Sequence, residues 1–114
     1  MDKAERDLKL LAAQIRKTIL YGLSTSMAGH VGGAMSMSDA LAVLYGKEMK
    51  IDPKNPKWEE RDRLVVSKGH CGPAVYAALA VKGFFPMEWM KTINQPETNL
   101  PSHCDKNRVP GIDM

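Results

Sequence analysis

Leu8, Leu11, Ala12, Ile15, Ile19 and Leu23 recur at three- and four-residue steps. That spacing draws one apolar face on an α-helix from Asp2 to about Leu23. Lys3, Arg6, Lys9, Gln14, Arg16 and Lys17 fall mostly off this face, while Leu10 and Leu20 widen the stripe and imply contact on more than one side. The run Ser24 to Gly33 breaks the helix. Its glycines, Gly29, Gly32 and Gly33, permit positive φ and close approach of a ligand to the main chain. A second helix follows, with Ser36 and Asp39 at capping-box spacing ahead of the apolar run Ala40 to Tyr45, and ends near Lys50.

Asp52-Pro53-Lys54-Asn55-Pro56-Lys57 reads as a turn-rich connection. Arg63-Leu64-Val65-Val66-Ser67 is a short β-branched run and predicts a buried strand. Lys68-Gly69-His70-Cys71-Gly72 turns tightly into a helix over about Ala74 to Lys82, with Pro73 suited to its first position. Pro86 starts one more short helix, to about Ile93. From Asn94 to Met114 no periodicity is present, and Pro96, Pro101 and Pro110 interrupt the chain; a stretch of that length is either functional or unanchored.

The pattern thus predicts about four helices and one strand. A single strand has no hydrogen-bond partner, and buried unpaired backbone groups are costly. An apolar strand between helices belongs in a parallel sheet covered on both faces. The expected class is therefore α/β but mostly helical within this sequence: the front end of a parallel sheet whose other strands lie outside it.

Composition narrows the function classes. The 114 residues are 44% apolar and 25% charged, with a formal net charge of +3, which describes an ordinary globular domain. Sixteen basic residues are interspersed with thirteen acidic ones, and no basic stripe is present to grip nucleic acid. The amino terminus lacks the apolar core of a signal peptide and no apolar run reaches the ~20 residues that span a bilayer, so no membrane association is expected and the cytoplasm is the default compartment. Cys71 and Cys104 form no disulfide framework and should stay reduced there.

The candidate chemistry lies in the three histidines. His30 sits in the glycine-rich loop, His70 between the expected strand and helix, and His103 in the proline-rich tail; none falls on an apolar helical face. His70 is the most informative. Ligands of open α/β sheets collect beyond the carboxyl ends of strands, and a helix amino terminus there favours anionic groups such as phosphate. Against this stands the ordinary reading of a loop histidine as solvated. Zinc is a poor alternative: His70-Cys71 and His103-Cys104 are adjacent pairs, whereas structural sites space their ligands two to four apart.

The order of pieces resembles a family. Gly29-His30-Val31-Gly32-Gly33, Asp52-Pro53 with Asn55-Pro56 and Trp58, Arg61-Asp62-Arg63-Leu64-Val65-Val66-Ser67-Lys68-Gly69-His70, Leu100-Pro101-Ser102-His103 and Pro110-Gly111-Ile112-Asp113-Met114 are similar to the amino-terminal section of transketolase. The resemblance covers nearly the whole chain, and Val31 is similar to transketolases encoded as two chains. It implies a thiamine-diphosphate-binding fold, incomplete over residues 1–114, and transfer of a two-carbon ketol unit from a ketose to an aldose with thiamine diphosphate and Mg2+. It also implies sugar phosphate substrates, a carboxyl-terminal section chain and a second copy as partners, with the active site between chains. By resemblance His30, His70 and His103 are catalytic. His30 handles substrate hydroxyls, His70 lies by the cofactor diphosphate and substrate, and His103 lies near the two-carbon fragment; a side chain titrating near neutrality suits such proton transfers.

Departures from the family pattern are Ser102 before the third histidine, Cys104-Asp105 after it, and Asn94-Gln95-Pro96-Glu97-Thr98 where many members have an arginine and a glycine-serine pair. The glycine-rich thiazolium segment and the Gly-Asp-Gly motif that binds metal and diphosphate are not in this sequence, so the chain is expected to hold no metal ligands and to bind cofactor weakly alone. The rival readings are a non-catalytic remnant or interaction module and the related thiamine enzyme that makes deoxyxylulose phosphate; the Ser-x-Gly-His form around His70 favours transketolase.

Overall fold

The computed structural model describes residues 2–26, 31–66, 72–93, 100 and 109–112. Its longest element is helix α1, Lys3–Ser26. Asp2 caps it: the Glu5 N–H donates to Asp2 Oδ1 at 2.8 Å, satisfying one of the first-turn donors that no helical carbonyl reaches. The predicted stripe is the buried one, with Ile15 and Ile19 fully enclosed and Ala12 and Leu23 nearly so. Leu10 and Leu20 are 58% and 50% exposed, so the second side expected to be in contact is open among the described residues.

The second predicted helix is divided. Helix α2, Val31–Ser36, and helix α3, Ser38–Val43, meet at Met37, and a wider π-helical turn, Leu44–Glu48, follows. Met37, not Ser36, takes the N-cap position of α3, so the Ser36/Asp39 spacing does not mark that helix's start. A capping residue normally enters from the extended region, but Met37 arrives already helical, at φ −89° and ψ −7°, with its N–H bonded to Ala34 O at 3.3 Å. Asp39 instead reaches Arg16 of α1, 2.7 Å between Oδ2 and Nη2. Gly32 and Gly33 lie within α2, Gly29 lies outside the described residues, and the two glycines of positive φ among the described residues are Gly83 and Gly111.

Helix α4, Gly72–Lys82, runs through the core. From Gly72 to Ala80 every residue is buried, as expected of a helix apolar on all sides. Ala74, Ala77, Ala78 and Ala80 let α1 and α2 approach it closely. It ends in a Schellman motif: Gly83 takes φ +90°, its N–H bonds Ala80 O at 3.1 Å, and the Phe84 N–H bonds Leu79 O at 2.9 Å. The short helix after Pro86 is 3-10, Met87–Thr92, and it presses Met90 and Ile93 against α1 at Gly22.

Two expectations can be set against the described residues, and the parallel sheet is not confirmed by them. Residues 63–66 form no strand, and no sheet pairing exists among the described residues. Leu64 and Val66 pack on the core while Val65 is 56% exposed, so the run alternates instead of being buried on both faces. A β-branched run favours a pleated path, but a ladder needs a second strand, and no described segment supplies one. The tail is also anchored at its described positions: Leu100 and Val109 are buried. Val109-Pro110-Gly111-Ile112 closes a turn, with Gly111 at φ +96° and the Ile112 N–H on Val109 O at 3.2 Å.

Candidate functional site

All three expected site residues, His30, His70 and His103, lie outside the described residues, as do Cys71 and Cys104. Their described flanks are firmly held. Val31 opens α2 and Gly72 opens α4, and these two helices pack on one another. Leu100 and Val109 bracket the segment that contains His103, and both side chains are buried. The elements that border His30 and His70 thus touch.

The described chain ahead of residue 67 includes the turn-rich connection. Four residues three positions apart form successive turns: Asn55 N–H to Asp52 O at 3.0 Å, Trp58 N–H to Asn55 O at 3.1 Å, and Arg61 N–H to Trp58 O at 3.2 Å. The Asp52 carboxylate also accepts the Lys54 N–H at 2.9 Å, an Asx turn of the kind this residue favours. Arg61 Nη1 returns to Trp58 O at 2.7 Å. Two further bonds close the loop across twelve positions: Lys50 N–H donates to Asp62 Oδ2 at 2.7 Å, and Asp62 N–H donates to Lys50 O at 2.8 Å. Sequence reasoning singled out Asp62 only as part of a motif; its partner carries no local signal.

Around α4 the first turn holds Gly72, Pro73 and Ala74, all buried and none acidic. Gly72 and Ala74 are small, Pro73 carries no N–H, and the positive end of the helix dipole suits an anionic group. Among the described residues no three His, Cys, Asp or Glu side chains converge on a point that could hold a metal ion. No described helix is long and apolar enough to cross a membrane. An open cleft of about 470 Å³ lies on another face, lined by Gln14, Lys17, Thr18, Tyr21, Val81 and Met87. Its Thr18 hydroxyl is already bonded to Gln14 O at 2.7 Å, and none of the described motif residues lines it.

A family model described as the thiamine diphosphate binding domain of transketolase matches residues 8–114. The chain belongs to this family. Transketolases are also its relatives by sequence and by structure. It is 56% identical, over its full length, to a 6-deoxy-6-sulfo-D-fructose transketolase subunit of Clostridium sp. strain MSTE9, and covers 42% of that protein. It is 34% identical to Transketolase 1 of Escherichia coli over 92% of its own length and 16% of the relative's. Among solved structures, the transketolase of Leishmania mexicana superposes with a TM-score of 0.89 at 30% identity, covering 94% of this chain and 16% of that one. The transketolase of Campylobacter jejuni gives 0.86 at 29% identity, with 100% and 18% covered. The chain therefore spans well under half the length of these transketolases.

Proposed function

We propose that this chain supplies the first part of the active site of a thiamine-diphosphate-dependent transketolase that acts on a ketose carrying a terminal anionic group. The observation that supports this most directly is the 56% identity, without a break from end to end, to a subunit named for 6-deoxy-6-sulfo-D-fructose. A sulfonated ketose is accordingly the favoured donor, with a sugar phosphate as its isosteric competitor.

On this reading residues 1–114 are an incomplete cofactor-binding domain. Residues 63–67 become the first strand of a parallel sheet once strands from the remainder of the enzyme lie beside them. Bound thiamine diphosphate supplies the nucleophilic carbon and the electron sink for cleavage of the ketose carbon–carbon bond. This chain's residues bind and move protons: His70, just ahead of the α4 amino terminus, serves the diphosphate and substrate, His30 the substrate hydroxyls, and His103 the two-carbon fragment. The Mg2+ ligands come from a carboxyl-terminal section chain, and a second copy completes the site between chains.

The test is ketol transfer by the protein isolated from its source cells with its natural partners, given thiamine diphosphate and Mg2+. Turnover of 6-deoxy-6-sulfofructose with an aldose acceptor, at higher kcat/KM than fructose 6-phosphate, is expected. Turnover of neither, together with no saturable cofactor binding by calorimetry, would sink the enzymatic reading in favour of a non-catalytic module.

A further inference from the structure

We draw no further inference here: the strongest candidate, the open cleft of about 470 Å³ that Gln14, Lys17, Thr18 and Tyr21 of α1 line together with Val81 of α4 and Met87 of the 3-10 helix, carries nothing because nothing in the structure shows what covers it.

Discussion

Gly22 and Met90 approach so closely that a Cβ on Gly22 would lie 2.9 Å from the Met90 carbonyl oxygen, a main-chain atom that cannot rotate away. Ile93 Cδ1 would be 2.8 Å from the same point. Alanine is the better helix former by about 1 kcal/mol. Overpacking of a rigid contact costs about 1–3 kcal/mol and should win. Gly22→Ala is therefore expected to lower the thermal midpoint, by roughly 4 °C or more for each kcal/mol in a domain of this size. A raised midpoint in a calorimetric scan would refute the contact.

Gly83 and Gly111 offer a controlled comparison. Both have positive φ, at +90° and +96°, so alanine strains the backbone at either. At Gly83 a Cβ meets nothing within 4 Å, whereas at Gly111 it would sit 2.7 Å from Leu79 Cδ2 and 2.8 Å from Phe84 Cδ2. Gly83→Ala should cost about 1 kcal/mol from the backbone alone. Gly111→Ala should cost about 1–3 kcal/mol more. Chemical denaturation of the two variants reads the difference directly, and equal losses would be inconsistent with the packing around Gly111.

Ser38 Oγ is fully buried without a hydrogen-bond partner among the described residues. An unsatisfied hydroxyl carries a desolvation penalty, so removing it should help. Ser38→Ala is expected to stabilise by about 1 kcal/mol, read as an increased denaturant midpoint at constant slope.

The Arg16–Asp39 pair is short but exposed, with 38% and 76% of the two side chains open to solvent. Exposed pairs contribute little once screening and side-chain entropy are counted. Arg16→Ala should change stability by less than about 1 kcal/mol, and adding salt should shrink even that effect.

In the assembled enzyme His70→Ala should reduce kcat/KM by roughly a hundredfold or more, the usual worth of a positioned proton-transfer group. Unchanged turnover would leave His70 as an ordinary loop residue.

Helix α1 was legible because its apolar stripe is one-sided, and Ala12, Ile15, Ile19 and Leu23 are buried as their spacing predicts. Helix α4 was legible by a different signal, Pro73 followed by an unbroken apolar run. At residues 63–66 the β-branched composition reports a conformational preference, whereas a ladder depends on neighbours that local sequence does not encode, so no sheet is seen among the described residues. The Ser36/Asp39 pair misled for a related reason: capping spacing is meaningful only if the chain enters from outside a helix, and α2 already occupies Ser36. The cap at Asp2 with Glu5 and the Pro110-Gly111 turn did carry local signals. The Lys50–Asp62 clamp did not, since it joins main chain twelve positions apart. Of the candidate site, the motif residues of the connection acquire a physical role as turn acceptors, while His30, His70 and His103 lie outside the described residues.

Because α4 is enclosed on every side from Gly72 to Ala80, it has no solvent face on which mutations can accumulate harmlessly. Nearly any larger side chain there must push on α1, α2 or the 3-10 helix at once, so that stretch should be the most substitution-intolerant in a deep mutational scan. A library built to retune substrate choice should leave the helix untouched and vary the loops that meet its ends.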